Sequence, residues 1–455
     1  MEILPSVPLH LPRHDSQCEK RICIIGAGPG GLAALKVISE SAYFKSGKWS
    51  VIAYETRENV GGIWLPAPPV VDAYNAPMTP LYDSLTTNLP HPIMAYTSYS
   101  FPPETSLFPS AHVVQTYLES YAAYFSLMSL IKFDTTVLDA RWESTQWTNG
   151  RASHSAWYRK PDFLGDKILV VGGGPSGQDI AAEMCIVSSV VVHSVDAPGA
   201  MTNDAVNPIQ RGRLIEFKAN GQVVFDDGTT EDNIDHCILA TGFHMHFPFL
   251  EGASMINQNI PPDFPPLPPG ELFNSTYHVF PLAKHLFPLQ ARYPISSIAF
   301  MGLVIRVAPF PLMEAQAYAI VRAFSDPSSL NPIAETVDII TRTDKLRHAG
   351  ASRPLDIAKA WFRFDREDQW NYRDALYQFA QGMGSGTPLI KVTEWEKELY
   401  DLKTEVRSGW EDLEKSGDSS EWLRDVGKNG VQDWVGLMYR VADYARSRKN
   451  LLERS

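Results

Sequence analysis

Cysteines are scarce in this sequence, and none of them is arranged as a pair. The 455 residues include four, Cys18, Cys23, Cys185 and Cys237, and no CxxC motif. Such usage disfavours a disulfide framework or a redox-active dithiol, and it predicts buried or inert thiols. No cluster of metal-ligating residues is visible in the sequence, so we expect no metal site.

Long hydrophobic runs and basic blocks are also missing. The first twenty residues contain neither a cationic head nor a long apolar stretch, which is unlike a secretory signal peptide. No apolar run is long enough to span a membrane. The net charge is −12 at pH 7, without the Lys/Arg-rich face of a nucleic-acid binder. We therefore expect a cytoplasmic protein that has no transmembrane segment and does not bind nucleic acid.

A hydrolase nucleophile is excluded by its spacing. Residues 174–177 place Ser176 in a glycine-rich stretch, but they do not have the G-x-S-x-G spacing of a hydrolase elbow. What remains is an ordinary globular composition, with 44% hydrophobic and 20% charged residues. The chain is long enough for two or three domains and a sizeable core.

A short apolar strand followed by spaced glycines stands near the start of the chain. Residues 22–25 predict a buried strand, and Gly26, Gly28 and Gly31 follow in GxGxxG spacing ahead of an apolar helix face. In such a turn the first glycine permits the tight bend. The second lets the backbone approach a pyrophosphate, and the third lets the helix pack close to the strand. The helix N-terminus supplies N–H groups to the anion.

An acidic residue completes this first pattern. Residues 49–55 predict the next strand and end in Glu55, close to the distance expected of an acid that binds a ribose hydroxyl. Strand, glycine turn, helix, strand and acid together predict a βαβ unit that binds a dinucleotide.

The same pattern occurs a second time. Residues 168–171 predict a strand, Gly172, Gly174 and Gly177 precede a helix, and residues 189–194 predict the next strand. Two dinucleotide folds in one chain indicate a flavin and a nicotinamide, with hydride passing between them. We expect an α/β fold with two Rossmann-like dinucleotide-binding domains and a helical C-terminal region.

A third strand agrees with this interpretation. Residues 235–243 predict a strand that ends in Ala240, Thr241 and Gly242. Small residues there allow the chain to lie against a cofactor or to cross between domains, although the same letters also fit any tight turn. In company with two glycine turns they fit an enzyme that binds two dinucleotides.

Further segments resemble one family, the flavin-containing monooxygenases, which are class B flavoprotein monooxygenases. The resemblance runs from about residue 20 to about residue 325. Besides the glycine turns, it rests on the acid-then-GG-x-W element of residues 55–64, on residues 81–96, on the helix at 112–125 and on residues 163–167. Residues 235–250 also match, with Phe243 in a tyrosine position. Residues 298–303 and 314–319 resemble the closing strand and helix of the FAD domain.

A histidine motif carries the resemblance further. The family has F-x-G-x-x-x-H-x-x-x-Y/F, and Gly150, His154 and Tyr158 keep this register, with Thr148 in place of the leading aromatic residue. Tyr158 rather than tryptophan favours the flavin monooxygenase branch over the Baeyer–Villiger branch. The alternative for His154 is a polar loop histidine without a role.

The resemblance implies both cofactors and the reaction. FAD and NADPH bind, oxygen adds to the reduced flavin to give a C4a-hydroperoxyflavin, and a soft nucleophilic nitrogen or sulfur of a small molecule attacks it. The retained nicotinamide excludes water. The cofactor-binding residues indicated by the motifs and the resemblance are Gly26, Gly28, Gly31, Glu55, Gly62, Trp64, Gly172, Gly174, Ser176, Gly177, Thr241 and Gly242.

Two residues are the candidates for the chemical step. Asn88 matches the family's active-site asparagine, and an uncharged amide both donates to and accepts from a peroxide and the nicotinamide ribose. The alternative is an ordinary asparagine in an Asn-Leu-Pro turn. His154 is implied to couple the nicotinamide domain to the flavin domain.

The second glycine turn departs from the family at the end of its strand. The family often has Ser-x-Arg there, and the arginine binds the 2′-phosphate of NADPH, whereas this chain has Asp196 two residues after Ser194. A carboxylate repels a 2′-phosphate and accepts from a free 2′-hydroxyl. We expect a weakened preference for NADPH, with NADH as an alternative donor. Arg211 or Arg213 is a candidate to restore phosphate binding.

A second departure is an absence. The family has several strands between the helix near Leu130 and the histidine motif, whereas residues 132–146 have room for one strand, predicted at 136–142. We infer a deletion of several dozen residues in the FAD domain. It predicts an exposed strand edge and impaired flavin retention or folding.

The predicted domains follow from these motifs. Residues 1–150 and 246–455 form a discontinuous FAD-binding domain, with a helical extension from about residue 356, and residues 151–245 form an inserted NAD(P)-binding domain. The predicted function is an FAD- and NAD(P)H-dependent monooxygenase. The alternatives are a Baeyer–Villiger-type oxygenase and a truncated paralogue that binds nucleotide with little or no turnover.

Overall fold

A computed structural model gives the arrangement of most of the chain. It describes residues 18–67, 79, 85–143, 146–148, 165–196, 207–218, 222–239, 245, 247–251, 255–261, 267–275, 277–364, 366–382 and 390–452. The chain divides into two compact units. The larger unit comprises Met1–Pro66, Thr86–Ser153 and His246–Ser455, and the smaller unit comprises Ala67–Leu85 and His154–Met245.

The strands are short and fall in both units. Those of the larger unit are β1 (Lys20–Ile25), β2 (Trp49–Tyr54), β3 (Ile131–Lys132), β4 (Arg141–Glu143), β5 (Gln146–Thr148), β13 (Ile256–Asn257), β14 (Leu272–Asn274), β15 (Val279–Phe280), β16 (Leu282–Ala283) and β17 (Phe287–Pro288). Those of the smaller unit are β6 (Lys167–Val171), β7 (Val190–Ser194), β8 (Ile209–Arg211), β9 (Leu214–Phe217), β10 (Val223–Phe225), β11 (Thr230–Glu231) and β12 (His236–Leu239).

The described α-helices lie mostly in the larger unit. They are α1 (Pro29–Glu40), α2 (Ala42–Lys45), α3 (His91–Met94), α4 (Ala111–Tyr124), α6 (Pro248–Glu251), α7 (Pro309–Ser325), α8 (Pro332–His348), α9 (Pro354–Trp361), α10 (Arg366–Gln381), α11 (Glu394–Asp401), α12 (Lys403–Ser416), α13 (Ser419–Trp422) and α14 (Val431–Leu452). The smaller unit contains α5 (Pro175–Val187), and short 3-10 helices span Gly62–Trp64, Met128–Leu130 and Pro327–Ser329.

The first predicted βαβ unit is confirmed in the larger unit. β1 and β2 pair in parallel over six residues each, with Ile22 opposite Val51, and α1 connects them. β3 joins β2 on its other side, also in parallel, which gives the order β1-β2-β3. The predicted apolar face of α1 is confirmed, since Leu32 and Leu35 are fully buried.

β1 is an edge strand within the part of the chain that the structure describes. It pairs with β2 alone there, and Ile25 at its end is 43% exposed. The exposed edge that the sequence predicts from a deletion stays a prediction, because pairing is known here for the described residues alone.

The predicted closing strand at 298–303 was wrong, because the structure gives this segment no strand pairing. Its backbone groups bond singly and form no ladder: the Phe300 N–H donates to the Leu286 carbonyl at 2.9 Å, and the Gly302 N–H donates to the Gln316 side-chain oxygen at 3.0 Å.

The segment before the histidine motif also differs from its prediction. Residues 133–140 form no strand, and β4 and β5 form a two-stranded antiparallel hairpin in which Trp142 lies opposite Trp147. The single strand predicted at 136–142 was therefore wrong. The alternating pattern there did not reveal that the chain reverses after three paired residues.

Aromatic side chains form the centre of the larger core. Tyr96 stacks on Tyr121 with ring centroids 4.1 Å apart and on Phe310 at 4.9 Å. The Tyr96 hydroxyl donates to the carbonyl of Pro29 at 2.7 Å, while Tyr117 accepts from the Tyr96 backbone N–H at 2.9 Å. Because Pro29 is the first residue of α1, this core fixes the start of the helix that follows the first glycine turn.

The C-terminal region is helical, as predicted, although its helices begin earlier than residue 356. α7 contains the predicted helix at 314–319, and α8 already starts at Pro332. α12 and α14 pack closely at Gly409, where a Cβ atom would lie 2.7 Å from the Val441 carbonyl oxygen. None of the helices in the described part of the chain combines the length and apolar composition needed to span a bilayer.

The smaller unit contains the second predicted βαβ unit. Its four-stranded parallel sheet has the order β12-β6-β7-β8, and α5 connects β6 to β7. Ile168 and Val191 of the sheet pack against Met184 of α5 in one apolar cluster. A three-stranded antiparallel sheet, β11-β10-β9, completes the unit. The predicted α/β class is confirmed.

Buried histidines make the larger unit sensitive to acid. His91, in α3, is 1% exposed, and its ring lies 4.3 Å from that of Trp434 and 4.9 Å from that of Phe101. Burial lowers the pKa of His91 to about 3. In the unfolded chain this imidazole is protonated below about pH 6.5, whereas in the folded chain it stays neutral down to about pH 3. Its contribution to the free energy of unfolding is therefore fully present above pH 6.5 and is lost as the pH falls towards 3.

We predict that His91→Phe flattens this acid destabilisation. Between pH 7 and pH 4.5 the free energy of unfolding of the wild type should lose on the order of 2–3 kcal/mol through this one site. Urea unfolding at both pH values measures the loss, which His91→Phe should remove. The control Val114→Ala lowers stability at a non-ionisable core site and should keep the pH dependence. An unchanged acid loss in His91→Phe would contradict the assignment.

Candidate functional site

The first glycine turn joins β1 to α1 through a bend that side chains would block. Gly26 has a φ of +96°, and its N–H donates to the Tyr54 carbonyl at 2.8 Å. A Cβ atom on Gly31 would lie 2.0 Å from the Gly26 carbonyl oxygen. Gly26 is therefore favoured by its backbone conformation and Gly31 by the close approach of helix and turn, as the motif predicts.

A second backbone segment closes on this turn. A Cβ atom on Gly28 would lie 3.3 Å from the Cα of Gly62, and Gly61 donates its N–H to the Ala27 carbonyl at 3.1 Å. Trp64 follows in a 3-10 helix and packs half-buried against the core. The GG-x-W element thus lies against the GxGxxG turn.

Glu55 connects the glycine turn to the segment that follows β2. Its side chain is 6% exposed, and its two carboxylate oxygens accept from the N–H of Ala27 at 2.7 Å and of Arg57 at 3.0 Å. The predicted position at the end of β2 is confirmed by the strand bounds. Both oxygens carry a backbone hydrogen bond, and a carboxylate has further lone pairs with which to accept from a ribose hydroxyl.

Arg57 holds the GG-x-W element, and the sequence motifs did not single it out. It is 7% exposed, and its guanidinium donates to the carbonyls of Gly62 at 3.2 Å, Leu65 at 2.7 Å and Pro66. The five donors of an arginine suit such a cluster of carbonyl oxygens. Its place two residues after Glu55 was the only signal in the sequence.

These residues fit the anionic part of a dinucleotide. α1 begins with Pro29, and its N-cap Gly28 provides no side-chain hydrogen bond to the first turn, so its N–H groups are open to an anion. The turn carries no Cβ atom at Gly26, Gly28, Gly61 or Gly62. The side-chain oxygen Oε1 of Gln115 is buried without a partner among the described residues, and it lies 1.9 Å from where a Gly61 Cβ would stand.

The second glycine turn repeats this geometry in the smaller unit. Gly172 has a φ of +130°, and a Cβ atom on Gly177 would lie 1.8 Å from the Gly172 carbonyl oxygen. Gly174 is the N-cap of α5 and again provides no side-chain cap. His193 of β7, 4% exposed, places its Nε2 2.8 Å from the same Gly172 oxygen. This contact fixes the turn, and sequence reasoning missed it.

The charged residues near the end of β7 have separate surroundings. Asp196 is exposed two residues after β7 ends. Arg211 is 7% exposed, and its guanidinium pairs with Glu231 at 2.6 Å, so it stabilises the unit's interior. Arg213 has a side chain 65% exposed and lies 3.9 Å from Asp226. Of the two arginines named from the sequence, Arg213 is the one accessible to a cofactor.

Several predicted site residues lie outside the described residues or have backbone positions only. Asn88 is described, and it is exposed between the Thr86 bridge and α3. Ser176 lies in the first turn of α5, and Thr148 ends β5. Gly150, His154, Tyr158, Thr241, Gly242 and Phe243 lie outside the described residues.

Across the described ranges, no group of three or more His, Cys, Asp or Glu side chains is placed to hold a metal ion.

Comparison with known families decides the class. The model of the flavin-binding monooxygenase-like family matches residues 19–151 and 195–359, which is more than half of the chain. The chain belongs to this family. It is therefore a flavin-dependent monooxygenase, and the family uses FAD and NADPH. The matched regions contain the first glycine turn with Glu55, Gly62 and Trp64, whereas the second glycine turn falls between them.

Two named relatives of this monooxygenase come from different organisms. The thiol-specific monooxygenase of Saccharomyces cerevisiae is 27% identical over 370 residues, covering 70% of this chain and 80% of the relative. The senecionine N-oxygenase of Tyria jacobaeae is 28% identical over 289 residues, covering 51% of this chain and 60% of the relative.

A solved structure shows the same fold. The S-allyl-L-cysteine S-oxygenase of Allium sativum superposes with a TM-score of 0.67 at 21% identity, covering 90% of this monooxygenase and 99% of that chain. The fold is thus α/β with Rossmann-type domains and a helical C-terminal region, as the sequence predicts.

We predict that Glu55→Gln weakens both the turn and flavin binding. The amide places an NH₂ group where a buried backbone N–H now finds an oxygen, which should cost about 1–3 kcal/mol of unfolding free energy. Urea unfolding and flavin retained after gel filtration measure the two effects. Glu58→Gln, at an exposed neighbour, removes the same charge and should change neither. Full flavin retention in Glu55→Gln would show that this carboxylate is not needed at the site.

Proposed function

We propose that this monooxygenase uses FAD and a reduced nicotinamide to transfer one atom of O₂ to a soft nucleophilic nitrogen or sulfur of a small molecule. The overall balance is substrate, O₂, NADPH and a proton giving oxygenated substrate, water and NADP⁺. The observation that carries the proposal is the pair of glycine turns, at Gly26–Gly31 and Gly172–Gly177, with the same close backbone approach. Two such turns suit two dinucleotides, one for each half of the redox reaction.

The relatives support the kind of atom that is oxygenated. One is named for thiols, one for N-oxygenation of senecionine, and one solved structure for S-oxygenation of S-allyl-L-cysteine. Sulfur and tertiary nitrogen are both soft nucleophiles with a free lone pair. We propose the same class for this chain, without a choice between the two atoms.

Each cofactor is assigned to one unit. We place FAD in the larger unit, at Gly26, Gly28, Gly31, Glu55, Gly62 and Trp64, and the nicotinamide cofactor in the smaller unit, at Gly172, Gly174, Ser176, Gly177 and Asp196. The proposed domains are 1–150 with 246–455 and 151–245. The chain divides close to these bounds, between residues 153 and 154 and between 245 and 246, but residues 67–85 group with the smaller unit and not with the proposed FAD domain. Thr241 and Gly242 are proposed to approach a cofactor.

The protein residues bind the FAD pyrophosphate and orient the reacting oxygen. The open N-terminus of α1 and its uncapped glycine turn bind the FAD pyrophosphate, and Glu55 with Arg57 keeps the turn and the GG-x-W element in register. Bound flavin supplies the hydride and oxygen chemistry. Asn88 is exposed and carries an amide that orients the reacting oxygen by hydrogen bonds, and His154 couples the two domains.

We predict sulfoxide from a thioether and little lactone from a cyclic ketone. Purified protein with FAD and NADPH receives methyl phenyl sulfide, a tertiary aromatic amine or cyclohexanone, and products are analysed by mass spectrometry. Asn88→Ser should lower kcat for the oxygenated product at least tenfold while flavin binding stays within twofold. Asn371→Ser, at an exposed asparagine of α10, is the matched control. Lactone formed with a kcat/KM equal to that of the sulfoxide would favour the Baeyer–Villiger alternative.

We predict a nicotinamide preference that depends on Asp196 and Arg213. Asp196→Ser removes a carboxylate that repels the 2′-phosphate, so kcat/KM should rise for NADPH more than for NADH. Arg213→Ala should lower kcat/KM for NADPH alone. Steady-state kinetics with both donors measures these changes, and Glu216→Ser, an exposed acid of β9, is the control. A preference for NADPH above a hundredfold that persists in Arg213→Ala would contradict the role given to Asp196.

A further inference from the structure

The exposed Asn88 stands on a segment whose neighbouring residues are buried and hydrogen-bonded. Thr87 is 2% exposed and Leu89 is 6% exposed, whereas Asn88 between them is accessible. The Thr87 N–H donates to the Pro109 carbonyl at 3.0 Å, and the Thr87 hydroxyl donates to the Leu89 carbonyl at 2.8 Å. The backbone next to Asn88 is therefore anchored, while Asn88 itself remains open to a reactant.

A residue from the C-terminal helices completes this anchoring. Arg407 of α12 donates from Nη1 to the Thr87 carbonyl at 3.1 Å, although 320 positions separate the two residues in the chain. Its Nε donates to Glu411 at 3.0 Å, one turn further along the helix. Its Cζ lies 5.8 Å from the centre of the Phe108 ring, within the range of a cation–π contact. Arg407 thus connects α12 to the backbone that carries Asn88.

Two more side chains on the same face of α12 contact the segment that supports Thr87, residues 106–109. Trp410 and Glu414 follow Arg407 by three and seven residues, a spacing that keeps side chains on one face of a helix. The Trp410 Nε1–H donates to the Ser106 hydroxyl at 3.2 Å, and that hydroxyl donates to Glu414 at 3.1 Å. α12 therefore supports the backbone next to the asparagine both directly and through this neighbouring segment.

The supporting helix lies beyond the part of the chain that the family model matches. The matched segments end at residue 359, whereas α12 begins at Lys403. Trp410 and Leu413, each 1% exposed, pack α12 against the core. The Arg407 side chain is 34% exposed and contributes little to that packing. Its particular contribution is a charge-assisted hydrogen bond to one main-chain carbonyl, which fixes both distance and direction.

We propose that Arg407 is a positioning residue for oxygenation, because its hydrogen bond to the Thr87 carbonyl sets the backbone from which Asn88 reaches the reacting oxygen. This inference rests on the proposed function, in which the Asn88 amide orients that oxygen. A displacement of about 1 Å at a reacting group lowers the rate of the chemical step by up to about a hundredfold. Loss of the Arg407 donor should therefore lower kcat without changing the binding of either cofactor.

Kinetics of Arg407→Met test this expectation, since methionine keeps an unbranched stem and removes the donor. We expect kcat for oxygenation of methyl phenyl sulfide to fall about five- to tenfold. The KM for NADPH and the affinity for FAD should stay within about twofold of the wild type, because the substitution touches neither glycine turn. NADPH consumption should continue and become uncoupled, with NADPH, a proton and O₂ giving NADP⁺ and hydrogen peroxide.

Three further variants separate the donor from the charge and from the ion pair. Arg407→Lys keeps a cationic donor and should restore part of the lost kcat. Glu411→Gln removes the ion pair but keeps an oxygen for the Arg407 Nε, and it should react like the wild type. Arg446→Met removes an exposed arginine of α14 whose acid partner Asp443 also lies about one turn away, at 3.4 Å, and it should have no effect.

A double-mutant comparison distinguishes positioning from general support of the fold. If Arg407 acts through Asn88, Arg407→Met should change kcat by less than about twofold in a protein that already carries Asn88→Ser. A merely structural loss would lower kcat by the same factor in both backgrounds.

Hydrogen–deuterium exchange on the full-length protein, as purified, measures the support without any turnover. Peptides that cover residues 85–95 should exchange at least about fivefold faster in Arg407→Met than in the wild type, because the Thr87 carbonyl has lost its donor from α12. Peptides from α7 should exchange at the wild-type rate in the same experiment.

Three results would overturn the proposal. They are a wild-type kcat with unchanged coupling in Arg407→Met, additive effects of Arg407→Met and Asn88→Ser, and unchanged exchange of residues 85–95. Loss of kcat in Glu411→Gln equal to that in Arg407→Met would also overturn it, by assigning the effect to the ion pair. A wild-type protein that forms no oxygenated product contradicts the proposed function instead, and the exchange measurement then decides by itself whether Arg407 holds the segment.

Discussion

The close approach of α1 to the Gly26 carbonyl is the constraint on which the larger unit depends. With a Cβ at Gly31 only 2.0 Å from that oxygen, a side chain there would push the helix away from the strand. The Glu55 carboxylate then connects the turn to the end of β2, and Arg57 connects that point to the GG-x-W element. Tyr96 holds the first residue of α1 from the core side. One glycine-rich turn is thus held by three separate sets of contacts.

In the smaller unit, a different kind of side chain holds the glycine turn. Its glycine turn has an equally close contact, 1.8 Å from a Gly177 Cβ to the Gly172 oxygen, but a histidine ring holds the carbonyl. The pair Arg211–Glu231 stabilises the strands beneath it and is not accessible to a cofactor. Local sequence thus sets the turn in each unit, while distant side chains supply its support.

The sequence predicts what depends on local patterns. The strands at 22–25, 49–55, 168–171 and 189–194 appear within one or two residues of their predicted bounds. Apolar runs next to glycines specify them without help from elsewhere. Contacts between distant residues were missed, such as Lys284 with Glu335 and Arg57 with three carbonyls, because no periodic pattern marks them. The closing strand at 298–303 failed for a related reason, since its backbone bonds to single distant groups, the Leu286 carbonyl and the Gln316 side chain, which no local pattern marks.

The central claim is that the first glycine turn binds FAD and the second binds the nicotinamide cofactor. Titration of flavin-free protein with FAD, followed by flavin fluorescence, tests it in Gly31→Ala and Gly177→Ala, with folding checked by circular dichroism. Gly436→Ala, where a Cβ meets nothing within 4 Å, is the control. We predict that Gly31→Ala weakens FAD binding at least tenfold, whereas Gly177→Ala and the control leave it unchanged. A folded Gly31→Ala protein that binds FAD like the wild type would contradict the account.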